Sequence, residues 1–314
     1  MPIVDAVIRP LRESELTTAS AICRLAFATF LGAADPENLW PGREYIRTRW
    51  PADPSACLAA ELNGSVVGSN LATRWGAFAF VGPLTIEPTL WNQGIAQQLM
   101  CATTDLIDSW DVSAVGLFTF AQSPGHIHLY QKFGFWPRFL TALLAKPPMV
   151  QSAPFTSYSE ATDSERVAII DACRDLTDSI YDGLDVGSDI RSVHEQQLGE
   201  TILLWGGTSL DGFAVCHLGA GTEAGVQICY VKFAAARPGP GAERVFGRIL
   251  AACEALAAQH ALQRVEAGVN VGRSQAYRTM LDWGFRADSY GVSMHRPDSP
   301  AYNLRDVYIV DDLR

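Results

Sequence analysis

Two hydrophobic periods alternate along the first half of the chain. Stretches with apolar residues every three to four positions predict helices, and shorter runs rich in apolar and β-branched residues predict strands. The predicted helices span residues 13–31, 43–50, a segment after Gln93, and 124–133. The predicted strands span residues 4–10, 57–63, 66–75, 78–88, 114–120 and a region ending near 146. Asn63 and Gly64 form the turn pair of a predicted hairpin.

The second half repeats this order of elements. Its predicted helices cover residues 163–181, 188–198, 242–260 and 273–283, and its predicted strands cover 201–207, 211–219, 225–235, 264–271 and 291–296. A proline-rich segment, residues 146–155, separates the halves. The repeat predicts an α+β fold with two tandem domains, residues 1–148 and 154–298, and a tail at 299–314. Each domain is expected to have a mixed central sheet flanked by helices, with a parallel crossover at its long helix.

Composition and charge narrow the possible classes of function. The chain has 314 residues, 48% of them hydrophobic, which is typical of a folded protein. A formal net charge of -10 without any lysine- or arginine-rich run argues against nucleic-acid binding. No apolar run reaches membrane-spanning length, and the first residues do not resemble a leader, so we expect a cytoplasmic protein without a membrane partner. The sequence leaves homodimer formation open.

The cysteines and histidines predict no metal centre. The seven cysteines include no C-x-x-C pair, and most lie in apolar periodic segments, which predicts reduced thiols in the core. The six histidines show no metal-ligand spacing with cysteine or acidic residues.

The segment TLWNQGIAQQLM, residues 89–100, joins a predicted strand to a predicted helix. A helix N-terminus carries unpaired N–H groups and a partial positive charge, so it favours an anion. Gly94 allows a phosphate group to approach the backbone without meeting a Cβ atom. No carboxylate lies in the first turn to repel a phosphate. The turn is therefore open to a phosphate group.

Two motifs in the first half resemble the GNAT acyltransferase superfamily. The turn resembles its pyrophosphate-binding loop, Q/R-x-x-G-x-G/A, although tryptophan replaces the first Gln/Arg. The six positions are Trp91, Asn92, Gln93, Gly94, Ile95 and Ala96, and Gln97 follows. The segment SPGHIHLYQKFGF, residues 123–135, resembles the later helix of the superfamily, Y-x-K-x-G-F. Together with the order of elements, these motifs make the whole chain similar to a tandem GNAT protein.

The resemblance implies transfer of an acetyl group from acetyl-CoA to a primary amine of a small molecule or peptide. It assigns acetyl-CoA binding to the loop residues and to the backbone of Leu84, Thr85 and Ile86. Tyr130 takes the position of the general acid, whereas a tyrosine on a short helix is ordinarily a packing residue with a polar tip. His126, one turn earlier, either tunes Tyr130, lines the pocket, or is a solvated or capping residue.

The general base and the acceptor site are less defined by the motifs. Glu87, at the strand end, is the candidate base acting through water, although a carboxylate before a proline is more often simply exposed. The segment NLWPGREYIRTRW falls where the family places its acceptor-side helices. Its candidate acceptor-binding residues are Trp40, Arg43, Tyr45 and Arg47. The alternative is an amphipathic helix with a solvated basic face.

The second half carries neither motif intact. In the corresponding turn, Pro238 and Pro240 lack N–H groups and Glu243 adds a negative charge. Met280 stands where the first half has Tyr130 and cannot donate a proton, while Tyr277, one turn earlier, is expected to pack. We therefore expect a degenerate repeat that supports the first half and closes its acceptor cleft.

Two other functions compete with that of an enzyme. One is a non-catalytic CoA-binding or regulatory module, and the other is an interaction scaffold without a ligand. The co-occurrence of Tyr130 with an open phosphate turn favours the enzyme, because a scaffold needs neither.

Overall fold

The first half contains the elements that its hydrophobic pattern predicts. The computed structural model describes residues 4–149 and 153–314, so the predicted linker at 146–155 lies partly outside the described residues. The strands are β1 (Val7–Pro10), β2 (Cys57–Leu62), β3 (Ser65–Trp75), β4 (Phe78–Val81), β5 (Thr85–Ile86), β6 (Ala114–Thr119) and β7 (Trp136–Lys146). The helices are α1 (Leu16–Leu31), α2 (Ile46–Arg49), α3 (Ile95–Asp108) and α4 (Pro124–Gln131).

The second half repeats the order, as predicted, with one additional strand in the tail. Its strands are β8 (Thr156–Ser157), β9 (Gly199–Gly206), β10 (Ser209–Leu218), β11 (Ile228–Ala236), β12 (Arg264–Asn270), β13 (Arg286–Arg296) and β14 (Ile309–Val310). Its helices are α5 (Asp163–Asp178), α6 (Gly187–Glu195), α7 (Ala242–Gln259) and α8 (Ser274–Asp282).

Two elements of the first half are shorter than the pattern predicts, for identifiable reasons. The strand predicted over 78–88 breaks into β4 and β5, because Gly82 has a φ of +135° and Pro83 has no N–H to donate. The helix predicted over 43–50 begins only at Ile46. Its first residues are held by the other half instead, since the N–H of Glu44 donates to the carbonyl of Thr222 at 2.8 Å.

The described strands form one mixed sheet through both halves. The main path of the sheet runs β1-β2-β3-β4-β6-β13-β7-β12-β11-β10-β9-β8, while β5 pairs with β3 and β14 pairs with β11. The two crossovers at α3 and α7 join parallel neighbours, β4 with β6 and β11 with β12, as predicted. β13 from the second half lies between β6 and β7 of the first half. In turn, β7 lies between β13 and β12 of the second half. The halves therefore exchange strands at the centre of the sheet.

One hydrophobic core joins the two halves. Trp75, Phe78 and Phe80 of the first half pack in the same buried cluster as residues of α5 and α6. The seven cysteines are free thiols, and six of them are buried, which agrees with the prediction of reduced core thiols. No helix within residues 4–149 and 153–314 is both long enough and apolar enough to cross a membrane.

Candidate active site

The sheet opens beside β4. Residues 78–81 pair in parallel with residues 114–117 of β6, whereas β5 pairs only with β3. The strands therefore separate after Val81, and a cavity of about 830 Å³ lies in the opening. Residues of both halves line this cavity.

The turn before α3 presents free backbone donors to the cavity. Gly94 is the N-cap of α3 with a φ of +85°, and Asn92 has a φ of +62°. The N–H groups of residues 92–96 have no acceptor in the part of the chain that the structure describes. The first turn of α3 contains no acidic residue. Several free donors at the positive end of a helix make a site for an anion such as a phosphate.

Trp91 ties this loop to the end of the strand before it. Its indole Nε1 donates a hydrogen bond to the carbonyl of Ile86 at 2.8 Å. The tryptophan that departs from the family pattern thus has a structural contact within the loop. It leaves the backbone donors of the turn free.

The end of the strand directs backbone groups toward the cavity. Thr85 pairs with Ser69, and the N–H of Glu87 donates to the carbonyl of Val67 at 2.8 Å. Because N–H and C=O directions alternate along a strand, Leu84 and Ile86 direct these groups away from β3 and toward the opening. Thr85 also lines the cavity, and its buried hydroxyl has no hydrogen-bond partner among the described residues.

Tyr130 lies on α4 and lines the same cavity. Ser123 caps the helix by accepting a hydrogen bond from the N–H of His126 at 3.3 Å, and Gly134, with a φ of +80°, lies beyond its end. The ring of Tyr130 packs against Phe135, with the centroids 6.4 Å apart. Burial raises the pKa of Tyr130, so the phenol keeps its proton at neutral pH.

His126 lines the cavity rather than capping the helix with its ring. The imidazole stacks on Phe30 with the centroids 4.7 Å apart, and it also lies near Phe120. Burial lowers the pKa of His126, which keeps the ring neutral. Of the alternatives that the sequence left open, the structure supports the lining residue.

Three of the four candidate acceptor-binding residues, Trp40, Arg43 and Tyr45, line the cavity. The guanidinium of Arg43 is largely occupied, because its Nη2 lies 2.7 Å from Glu266 Oε2 and 2.9 Å from the carbonyl oxygen of Ala224. Trp40 and Tyr45 present their rings beside it.

Two of the predicted site residues lie outside the cavity lining. Arg47 is exposed and donates to the Thr17 hydroxyl at 2.5 Å. Glu87 accepts from the Thr89 hydroxyl at 3.1 Å and does not line the cavity. The neighbouring Arg49 is buried and pairs with Glu223 at 2.7 Å. The basic face of this segment is therefore divided between solvent and the interface of the halves.

The second half supplies lining residues that the motifs did not predict. They include Glu266, Asp288, Tyr290 and Arg314. Burial acts to raise the pKa of Glu266, but the charges of Arg43 and Arg314 outweigh it, so the pKa is lowered and the carboxylate stays ionised. A glutamate inside the apolar strand RVEAGVNV was the available sequence signal for a buried polar role.

The first half also supplies aromatic residues that the motifs did not predict. Phe27 and Phe30 of α1 and Phe118 and Phe120 at the end of β6 line the cavity. On the helix, the spacing of three between the two phenylalanines placed them on one face, but it did not say whether that face met the core or a ligand.

The equivalent opening in the second half is filled by the chain itself. β11 and β12 pair over residues 228–231 and 264–267, the same length as the pairing of β4 with β6. Beyond that point, Ile309 and Val310 of β14 pair with β11. The tail predicted at 299–314 therefore occupies the gap that is a cavity in the first half. Met280 is buried in the core of this half.

Comparisons with known proteins agree with the motifs and the topology. Residues 21–135 match the model of the acetyltransferase (GNAT) family. No curated protein matches the chain.

Three solved structures resemble the chain over nearly all its length. A putative acetyltransferase from Pyrococcus horikoshii has a TM-score of 0.69 at 14% identity and covers 98% of this chain and 95% of its own. A GCN5-related N-acetyltransferase from Sphaerobacter thermophilus has a TM-score of 0.61 at 15% identity, and the match covers 94% of this chain and 96% of its own. A tandem GNAT protein from the clavulanic acid biosynthesis pathway has a TM-score of 0.58 at 12% identity, and the match covers 93% of this chain and 98% of its own. At these sequence identities, the similarity of the structures establishes the fold alone. The chain thus has the fold of a tandem GNAT protein, and its residues 21–135 match the acetyltransferase (GNAT) family by sequence.

Proposed function

We propose that the first half binds acetyl-CoA and transfers its acetyl group to a primary amine. The observation that carries the proposal is the row of free N–H groups at residues 92–96, which borders the same cavity as Tyr130. An anion site and a protonated phenol at two parts of one cavity suit a phosphate-bearing acyl donor with a thiol leaving group.

The donor fits the polar groups that the chain leaves without partners. The free N–H groups of the turn before α3 would hold the pyrophosphate. The backbone groups of Leu84 and the N–H of Ile86 would bond the amide-bearing arm between the phosphates and the thioester. Bound in this way, acetyl-CoA supplies an activated acetyl group as a thioester.

The chemistry of the transfer assigns a task to Tyr130. The amine nitrogen attacks the thioester carbonyl, a C–N bond forms, and the C–S bond breaks. The phenol of Tyr130 donates its proton to the departing sulfur, and the amine gives up a proton to water. The phenol keeps its proton at neutral pH, as a general acid must until the thiolate leaves.

A single substitution in the turn tests the proposal. Gly94→Glu places a side chain and a negative charge among the free donors, so we expect acetyl-CoA to lose its stabilising effect on the melting temperature. Because Gly94 has a positive φ, the ligand-free variant is first compared with the wild type by its own melting temperature. Gln97→Glu, at an exposed position in the first turn, adds the same charge with no backbone change and should weaken binding.

The result distinguishes the proposed enzyme from a CoA-binding module. Equal stabilisation of Gly94→Glu and the wild type by acetyl-CoA would remove the turn from the binding site. Binding without release of free thiol across a panel of primary amines would leave a non-catalytic module.

A further inference from the structure

The acceptor part of the cavity is lined by a continuous group of aromatic side chains. We call this group the aromatic wall, which consists of Phe27, Phe30, Trp40, Phe118, Phe120 and His126. Neighbouring ring centroids in the wall lie 4.7 to 6.3 Å apart. The wall extends from α4, which carries Tyr130, to Arg43, whose guanidinium lies 5.8 Å from the Trp40 ring.

The wall is only partly covered by the protein. Its six members are all half-buried, in contrast to the fully buried aromatic residues of the core. A half-covered aromatic surface inside a cavity is typical of a site that binds an apolar or aromatic ligand, because burial of that surface stabilises the complex. The wall therefore favours an acceptor whose body is an aromatic ring.

The charges of the cavity disfavour an acceptor with several positive groups. Among the described lining residues, the carboxylates are Glu266 and Asp288. Glu266 pairs with Arg43 at 2.7 Å, and its other oxygen lies 3.2 Å from Arg264, which also pairs with Asp288. Both carboxylates are thus neutralised by arginines. A polyamine would bring a second ammonium group into a lining without a free counter-charge.

The same charges favour the reactive form of a single amine. The cavity is partly desolvated and its carboxylates are already paired with arginines, so the surroundings lower the pKa of a bound ammonium group. The amine must be neutral to attack the thioester. The site thus promotes deprotonation through its surroundings, which is consistent with the position of Glu87 outside the cavity.

We infer that the acceptor is an arylalkyl primary amine whose ring packs on the aromatic wall. The inference rests on the proposed acetyl transfer for its chemistry, and on the wall for its specificity. Residues of the second half, Glu266 above all, complete the site by holding Arg43 beside Trp40.

Three amines and two variants test the inference. The probes are 2-phenylethylamine, n-pentylamine, and 1,4-diaminobutane, in which a second amine replaces the methyl end of pentylamine. We measure release of free thiol from acetyl-CoA and expect kcat/KM to fall in that order, by about tenfold or more between the first and the last. Phe27→Ala should raise KM for 2-phenylethylamine by about tenfold with the KM for acetyl-CoA unchanged. Leu25→Ala, at an exposed position of the same helix, is the matched control and should change neither.

Calorimetry separates failure of the inference from failure of the proposed function. The ligand is 2-phenylethylamine, added to the wild type in the presence of coenzyme A. Binding that weakens in Phe27→Ala, without turnover in the first assay, would support the aromatic site and contradict the proposed transfer. Faster thiol release with 1,4-diaminobutane than with 2-phenylethylamine would support the transfer and overturn the inference. An unchanged KM in Phe27→Ala would also overturn it.

Discussion

Tyr130 is the proton donor of the proposed reaction. A packing role alone would make its hydroxyl dispensable, since the ring contact with Phe135 does not involve the oxygen. We expect Tyr130→Phe to lower turnover roughly ten- to a thousandfold, typical of losing a positioned proton donor. The affinity for acetyl-CoA, measured by calorimetry, should stay nearly unchanged. A variant with the turnover of the wild type would return Tyr130 to a packing role.

His295 links the stability of the fold to pH. The carbonyl of Ser299 lies 2.8 Å from its Nδ1 and can only accept, so Nδ1 carries the proton and Nε2 is free to accept from the Asn303 amide at 3.5 Å. Burial lowers the pKa of His295 to about 4 in the folded state. Because the folded pKa lies below the ordinary value, this contribution to stability is complete above about pH 6.5 and is lost as the pH falls toward 4.

This linkage predicts a difference between the wild type and His295→Asn. Asparagine keeps a donor for Ser299 but does not titrate. Between pH 7 and pH 5, the wild type should lose roughly 2 kcal/mol more of its free energy of unfolding than the variant does. Urea denaturation at both pH values measures it, and the other groups that titrate, including His217, are common to both proteins. Equal losses would show that His295 takes up a proton as readily when folded as when unfolded.

At the level of single residues, the motif predicted the parts of the site that depend on local backbone. Counting back from Gly94 identified Leu84 and Ile86, whose backbone groups point away from β3, and their role in binding stays a prediction. It could not choose among the arginines of residues 43–49, because only four residues there are helical and contacts with the other half decide which ones are buried. Glu266 lies more than a hundred residues from every motif, so only the fold brings it to the cavity.

At the level of elements, hydrophobic periodicity predicted the helices and most strands, but not how the strands are distributed between the halves. The hydrophobic pattern of β7 and of β13 indicates that each strand is partly buried. It does not indicate which strand pairs with it. β14 has two residues, too few for a periodicity, although it fills the second opening. The domain boundaries at 148 and 154 therefore remain predictions drawn from the repeat.

The exchange of β7 and β13 makes each half dependent on the other. Without residues 153–314, β6 would lose β13 and expose one unpaired edge, and β7 would lose both of its partners, β13 and β12. We expect a protein cut after residue 149 to aggregate, or to bind a hydrophobic dye, when its first part is produced alone. Production of both parts together should restore a complex that acetyl-CoA stabilises in a thermal-shift measurement. A soluble first part that binds acetyl-CoA by itself would contradict this dependence.

At the level of the whole molecule, the two halves also meet around the part of the cavity that Trp40 and Arg43 line. The carbonyls of Pro41 and Gly42 accept hydrogen bonds from Val226 and Gly221, at 2.9 and 2.7 Å. Glu223 is buried between two cations of this interface. Its Oε2 lies 2.7 Å from Arg49 Nη2, and its Oε1 lies 2.5 Å from Lys232 Nζ. These contacts hold the segment that carries Trp40 and Arg43 against the second half. The second half thus closes this side of the cavity, and its expected role at an acceptor cleft stays a prediction.

The two halves share one plan but differ in whether the opening of the sheet is free. Gly94 and Gly241 are the N-caps of α3 and α7, with φ values of +85° and +94°. In the second half, however, Pro238 and Pro240 lack N–H groups, Glu243 lies in the first turn of α7, and β14 fills the gap between the strands. The turn before α7 therefore has fewer N–H donors than the turn before α3, and the gap in the sheet beside it is filled.

This asymmetry predicts one acetyl-CoA per chain, measured by isothermal titration calorimetry. Gly94→Glu should abolish binding, whereas Gly241→Glu, the same substitution at the same backbone conformation, should leave one site with an unchanged Kd. Gly241 is a better control than Met280, because Met280 is buried and its truncation would leave a cavity in the core. Both glycine variants strain a left-handed N-cap, so a loss seen in only one of them reports on the ligand rather than on the fold. Two sites per chain, or one site that survives Gly94→Glu and disappears in Gly241→Glu, would place the binding chemistry in the second half.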